Sequence, residues 1–454
     1  MSKSTMNTRG KKSNRVRAFK LNRSSAFSDQ HHVVIIGGGF GGLWVAKSLR
    51  KAPVLITLID KRNFHLFQPL LYQVATGGLS PADIASPLRG VLGKQKNITV
   101  ILDEVIDIDR ENRQVILEDK RVQYDSLIVA AGSENSYFGH DKWEKYAPGL
   151  KGIEDALTIR SRIYAAFEKS ESTTDSMQRQ RLMTFIIIGA GPTGVELAGA
   201  IAEIANITLK HDFRSIDTSE TRIILIEGGK RILPTFPESL ARAAYRSLEK
   251  LNVEIRSNSM VVGFDNLGVE VVEKDGKFHL AAQTIMWAAG VKPSRLGKIL
   301  VGEHVSLLDE IGRVKVNPAL SLPGYPNIFV IGDLANYSHQ TGTPLPGVAP
   351  VAMSQGRYVA ETIIRRLKGM PIKKYKYFNR GNMAVIGRAA AIADLGWLRV
   401  SGYPAWLLWL FIHLMYLVEY DNRLIVFIQW AWNYFTRRRG ARLITYGVKE
   451  KNSA

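Results

Sequence analysis

The sequence predicts an α/β protein: two Rossmann-like dinucleotide-binding domains related by duplication, plus a C-terminal amphipathic helical region. Three observations predict it. A strand–GxGxxG–helix unit occurs twice. Each copy is followed by a strand ending on an acid and by a further strand ending in Ala-Ala-Gly. Beyond Trp397 the composition turns to tryptophan-rich apolar runs, with five of the chain's 8 tryptophans between Trp397 and Trp432.

In the first copy, the β-branched run Val33-Val34-Ile35-Ile36 reads as a buried parallel strand. Gly37, Gly39 and Gly42 supply GxGxxG, and residues 43–49 read as the helix that follows. Such glycines permit a tight turn, approach of backbone to a pyrophosphate, and close packing of helix on strand. The helix start offers free N–H groups and a positive dipole end to that pyrophosphate. Asp60, 23 residues after Gly37, ends the strand 54–59, where a carboxylate can accept from a ribose hydroxyl.

The second copy starts 152 residues later, with Gly189, Gly191 and Gly194, and its acid is Glu227. Its spacing from glycine to acid is 38, which is 15 longer than in the first copy. The polar run 210–220 can hold the excess as a surface insertion. The two Ala-Ala-Gly strands end at Gly132 and Gly290. Two such units in one chain imply two dinucleotides passing electrons between them.

Composition narrows the chemistry. Cysteine is absent from the 454 residues, which excludes a disulfide, a cysteine-ligated iron–sulfur cluster and a redox-active thiol pair. The electron acceptor is therefore not a thiol, and no metal site is read from the sequence. Net charge is +20, unevenly spread: residues 1–28 carry eight Lys/Arg and no acid, which reads as a basic arm. Its composition also suits a transit peptide, while no apolar run there is long enough for a secretory signal. Basic surfaces suit anionic lipid and nucleic acid alike, so charge does not choose between them.

Along the chain, residues 61–79 have neither helical nor strand period, and are expected as an ordered loop over a cofactor. Within it, the plainer reading of His65 and Gln73 is that they satisfy backbone groups, and for His65 that is the expectation. Residues 151–180 are expected as an amphipathic helix, with Leu157, Ile163, Ala166 and Phe167 on one face, running into a polar linker over 170–180. The strand 328–331 ends in Gly332-Asp333, which sets a carboxylate at the crevice end of a sheet. Two apolar runs, 404–418 and 424–435, fall short of the roughly 20 residues of a spanning helix. With Arg437, Arg438 and Arg439 directly after them, they suit helices lying in a membrane surface or buried in a dimer interface. Removing them would touch neither Rossmann unit.

At these residues the chain resembles the type II, non-proton-pumping NADH:quinone oxidoreductases, a family of two-dinucleotide flavoproteins. The likeness covers about residues 31–440. It rests on the paired glycine units, the Phe-Gln-Pro-Leu-Leu-Tyr-Gln-Val-Ala stretch from Phe67, Asn-Ile-Phe-Val-Ile-Gly-Asp ending at Asp333, Ala349 to Gln355, and Met383 to Arg388. The resemblance implies non-covalent FAD on Gly37, Gly39, Gly42 and Asp60, with Gly132, Gly332, Asp333 and Ala349 completing that site. It implies NADH on Gly189, Gly191, Gly194, Glu227 and Gly290, and catalytic roles for Glu196, Ser354 and Gln355. Pro350 and Ser354 stand where many members carry glutamine, and Gln355 is the nearest one. The acid Glu227 favours NADH over NADPH by repelling a 2′-phosphate.

The expected division is a basic disordered arm over 1–30, an FAD-binding domain over 31–150 and 293–370, an NADH-binding domain over 151–292, and a membrane-association or dimerisation region over 371–454. The expected partners are a quinone, a lipid surface and a second copy of the chain, with nucleic acid unlikely. The expected location is the cytoplasmic face of a bacterial inner membrane, or else the mitochondrial inner membrane. Two other classes share the paired units: a soluble reductase of a small electron-carrier protein, and an apoptosis-inducing-factor-like binding flavoprotein.

Overall fold

The structure, a computed structural model, describes residues 17–18, 30–437 and 439–444. The basic arm lies outside the described residues, apart from the strand Arg17–Ala18, which pairs in parallel with Lys120 and Arg121. Arg438 lies outside them too.

The main elements, in chain order, are β1 (His31–Ile36), α1 (Phe40–Ser48), β2 (Val54–Asp60), α2 (Leu71–Ala75), β3 (Ile98–Leu102), β4 (Ser126–Val129) and α3 (Ile153–Ser172). They continue with β5 (Thr184–Ile188), α4 (Pro192–Glu203), β6 (Arg222–Glu227), β7 (Val253–Ser257), β8 (Thr284–Trp287), β9 (Tyr325–Val330) and α5 (Ala349–Leu367). Last come β10 (Asn382–Gly387), β11 (Ala390–Asp394), β12 (Arg399–Gly402), α6 (Tyr403–Tyr416) and α7 (Tyr420–Thr436).

By contact these form two compact units, each built from three chain segments. The first takes its described residues from Met1–Asn63, Lys94–Gly132 and Ser294–Tyr375. Its sheet runs β9-β4-β1-β2-β3, all parallel, with Ser321–Leu322 as an antiparallel edge on β9. The chain steps one way from β1 to β2 and β3, while β4 lies on the other side of β1. The end of β1 is thus the switch point, where open α/β sheets hold ligands. Val33 to Ile36 are all buried, as expected of a strand covered on both faces. Helices α1 and α5 meet backbone to backbone at Gly356, where a side chain would run into the Gly41 carbonyl.

The second unit takes Phe64–Gly93, Ser133–Pro293 and the described residues of Lys376–Ala454. Its sheet, β7-β6-β5-β8, is parallel throughout and repeats the same switch at the end of β5. The duplication holds at single bonds: Gly37 N–H donates to the Ile59 carbonyl at 2.8 Å, and Gly189 N–H to the Ile226 carbonyl at 2.7 Å. A three-stranded antiparallel sheet, β10-β11-β12, follows and was not anticipated from the sequence. It docks on α4 so tightly that the Ile386 carbonyl fills the space a side chain at Gly199 would need.

Three expectations are corrected. Residues 61–79 are not an irregular loop: they form a strand (Phe64–Leu66), a turn and α2, with Phe67, Leu70, Leu71, Val74 and Leu79 buried. Their apolar side chains lack a period because they are enclosed on all sides. By contact, 64–93 groups with the second Rossmann unit and not the first. The linker over 170–180 is the end of α3 and a further helix, Ser176–Leu182, capped by the Asp175 carboxylate on the Met177 and Gln178 N–H groups. On α3 itself Ile159, Ile163 and Phe167 are buried, while Leu157 is only half-buried. The run 210–220 is mostly exposed, as an insertion should be.

Helix α6 buries Trp409, and the His413 ring stacks on it at 4.2 Å and donates Nδ1–H to the Trp409 carbonyl at 2.8 Å. Burial lowers the His413 pKa to about 4, against that one hydrogen bond. An unfolded histidine titrates near 6.5. The neutral ring's contribution is therefore complete above pH 6.5 and is lost as pH falls toward 4. Denaturant unfolding should read about 2–3 kcal/mol less stability near pH 4.5 than near pH 7.5 from this residue. His413→Phe should remove that part of the acid sensitivity.

Candidate functional site

At the end of β1, Gly37 has φ +102, and a side chain there would strike the Ala130 carbonyl. Gly42 has no room for a side chain either, because the Gly37 carbonyl occupies it. Gly39 differs: a Cβ there meets nothing within 4 Å. The second copy repeats this pattern, with φ +98 at Gly189, open space at Gly191, and the Gly189 carbonyl filling the space at Gly194. In both, two glycines are needed by the chain itself and the middle one faces free space at a helix start. That is the cradle a dinucleotide pyrophosphate needs.

The acids are held the same way twice. Asp60 accepts from Gly38 N–H at 2.5 Å and Arg62 N–H at 2.7 Å; Glu227 accepts from Ala190 N–H and Gly229 N–H, each at 2.8 Å. Each carboxylate thus ties the glycine turn to the next strand and keeps lone pairs for a ribose. Burial pushes the Asp60 carboxyl above its ordinary range, opposed by the Gly38 and Arg62 N–H donors.

The remaining predicted residues divide between the two units. In the first, Gly132 has φ +68 with open space around it, and its carbonyl accepts from Ser294 N–H at 3.1 Å. Gly332 has φ +73, Asp333 follows β9 half-buried, and Ala349 opens α5. Gln355 is buried, and its side-chain oxygen accepts from Gly332 N–H at 2.6 Å, whereas Ser354 is half-buried. In the second unit, Gly290 lies under the exposed Phe138 ring, which stands where its side chain would be.

Glu196 lies in the first turns of α4, on the wall of a pocket of about 150 Å³ inside the second unit. Burial pushes its carboxyl up to about 8, against one hydrogen bond from Val385 N–H. Tyr72 lines the same pocket, and burial followed by the Glu196 charge drives its hydroxyl well above the usual range. Gln73 does more than satisfy backbone: its Oε1 accepts from Trp430 Nε1–H at 2.8 Å and its Nε2 donates to the Tyr72 hydroxyl at 2.9 Å. Trp406, Trp409 and Tyr434 complete the aromatic walls. The pocket thus joins a protonatable carboxyl, a phenol and an amide to flat apolar surfaces, a set suited to an aromatic ring bearing oxygens. Among the described residues there is no cluster fit for a metal ion.

Sequence reasoning missed Glu203, Tyr72 and the role of Arg439. One signal was available: Glu196, Ala200, Glu203 and Ile207 fall on one helical stripe.

The family Pyridine nucleotide-disulphide oxidoreductase matches residues 31–356, and the NDH2 C-terminal domain matches residues 379–439. The type II NADH:quinone oxidoreductase Ndh of Mycobacterium tuberculosis is 45% identical over 92% of this chain and 90% of its own length. A solved structure of NDH2 from Plasmodium falciparum in complex with NADH superposes with a TM-score of 0.83 at 21% identity, over 92% of this chain and 100% of that one. A sulfide:quinone oxidoreductase from Aquifex aeolicus reaches 0.70 at 21% identity, over 90% and 96%. Likeness at that identity speaks for the fold alone; the 45% relative, aligned along nearly the whole chain, speaks for the family. The chain belongs to the type II NADH:quinone oxidoreductases.

Proposed function

We propose a division of roles for the reaction that this family carries out. The enzyme moves two electrons from NADH to a quinone through FAD: NADH, one proton and quinone give NAD⁺ and quinol. Bound FAD supplies the capacity to take a hydride from NADH and to release electrons to the acceptor. The cradle of Gly37, Gly39, Gly42 and Asp60 holds FAD, with Gly132, Gly332, Asp333 and Ala349. That of Gly189, Gly191, Gly194 and Glu227 holds NADH, with Gly290. Gln355 acts through Gly332, fixing the turn that presents Asp333, while the Ser354 hydroxyl is the more accessible of the two side chains.

The pocket of Glu196, Tyr72 and Gln73 receives the quinone ring; its polar groups set among aromatic walls carry this reading. Its aromatic walls belong to α6 and α7, whose outer sides are exposed and apolar. On α6, Tyr403, Leu407, Phe411 and Met415 recur every four residues; on α7, Leu424, Ile428, Trp432 and Phe435 make a second row. At 14 and 17 residues the helices are about 21 and 26 Å long, and among the described residues no helix is long and apolar enough to cross a membrane. Two short helices with apolar rows and an exposed Arg437 at the end suit attachment to a lipid surface, where quinones reside. We place that surface on the cytoplasmic side of a bacterial inner membrane. The protein should pellet with membranes and be released by detergent and not by salt. A dimer that stays in the supernatant without detergent would assign the rows to a second copy of the chain.

Purified yellow protein should oxidise NADH faster when a soluble quinone analogue is added; an unchanged rate would remove quinone as the acceptor. Cofactor choice tests the second cradle. Glu227→Gln keeps an acceptor for Gly229 but loses the charge, so the kcat/KM preference for NADH over NADPH should narrow by about tenfold or more. Equal kcat/KM for the two in the unmodified protein would remove Glu227 from the site.

A further inference from the structure

The arginines after α7 read as headgroup contacts, yet Arg439 turns inward. Its side chain is 13% exposed, its Nη2 donates to Glu203 Oε2 at 3.0 Å, and its Nη1 donates to the Thr76 carbonyl at 3.0 Å. The other Glu203 oxygen accepts from Arg388 N–H, and the Thr76 carbonyl also accepts from the Tyr164 hydroxyl. Ala441 N–H reaches the Gly77 carbonyl at 3.2 Å and Arg442 pairs with Asp212. The tail after α7 therefore fastens α2 to α4.

We infer that Arg439 is a positioning residue of the quinone pocket: by binding Glu203 and the Thr76 carbonyl it joins α2 to α4 and neutralises the second carboxylate of the pocket, leaving Glu196 as the group that exchanges the proton of the reaction. This rests on the reading of the pocket as the quinone site.

The proton count requires such a group. NADH delivers a hydride, two electrons with one proton; quinol needs two electrons and two protons, so one proton per turnover comes from solution. Glu196 and Glu203 are seven residues apart on α4, which sets them on one face about 10 Å apart. With Arg439 in place, the pair at Glu203 is neutral and its field at Glu196 is weak. Without it, a bare carboxylate at that distance makes Glu196 harder to ionise, by about one pH unit at an effective dielectric near 20.

The other groups facing the pocket do not compete. Tyr72, from α2, stays protonated at neutral pH. Arg388, after β10, stacks on the Tyr434 ring of α7 at 4.1 Å, and Arg437 is exposed.

The test is the pH dependence of flavin reoxidation by a water-soluble quinone, measured in single turnover on the FAD-loaded enzyme. An infrared titration of the protonated carboxyl band, identified by its loss in Glu196→Gln, reads the same midpoint without electron transfer. The unmodified enzyme should show a midpoint near 8. Arg439→Met should raise it by about one unit and Glu203→Gln should lower it by a similar amount, because Arg439 is then uncompensated. The double variant should return to the starting midpoint, and Arg439→Lys should stay close to it. A purely structural role would lower melting temperature in all of these and leave the midpoint still. Midpoints of Arg439→Met and Glu203→Gln that equal the parent's would overturn the proposal while the quinone pocket stands. Should Arg439→Met not fold, Glu203→Gln and the double variant carry the comparison. A reoxidation rate with no transition in the parent, unaltered by Glu196→Gln, would overturn the pocket reading and the proposal with it.

Discussion

Gly39→Val protein is expected to fold and to be colourless. The open space beside Gly39 means that a valine there displaces no atom of the chain. It fills instead the volume into which a pyrophosphate must come, so FAD binding should fall by at least about a hundredfold. Gly191→Val should leave the protein yellow, since the first cradle is intact, and unable to be reduced by NADH. The controls are Gly42→Val and Gly194→Val, where the side chain runs into a carbonyl of the same turn. These should lower stability as well as binding. Thermal melting and absorbance of the four variants separate the two outcomes. A yellow Gly39→Val protein that NADH cannot reduce would mean that the two cradles are reversed.

Gly199→Ala should be the most destabilising conservative change in the second unit. One methyl would overlap the Ile386 carbonyl, so β10 must leave α4 or α4 must bend. Overpacking of this kind, against backbone, costs about 3 kcal/mol or more. Because β10 also supplies Val385 N–H to Glu196, and the residue after it supplies Arg388 N–H to Glu203, quinone reduction should fall further than NADH binding does. Urea unfolding midpoints and NAD⁺ binding by tryptophan fluorescence check the two parts. An unchanged midpoint would show that β10 docks on α4 with room for a methyl group.

The same contacts correct the expectation that the C-terminal helices can be removed cleanly. A chain cut before Pro404 loses Trp430 from Gln73, Asn433 from the Gly78 carbonyl and Arg439 from Glu203. It would leave Glu203, 18% exposed in the intact chain, without its cation, so such a truncation measures folding as much as membrane attachment.

Read in order, the sequence by itself determined the duplicated α/β fold, the two cradles and the acid paired with each. These are local matters. A buried parallel strand writes itself as consecutive β-branched residues, and a turn at φ near +100 admits only glycine. The acids lie one strand away at a fixed spacing, and the absence of cysteine bounds the chemistry over the whole chain. Other features had no local signature. The stretch 64–79 reads as a loop because enclosure on every side erases the period on which strand and helix recognition depends. The Glu203–Arg439 pair joins residues 236 positions apart, and an arginine after an apolar helix carries the same sequence pattern whether it faces lipid or a carboxylate of another segment. Only the folded chain decides between them, because the energy that turns Arg439 inward comes from a carboxylate and a carbonyl that two other segments bring to it.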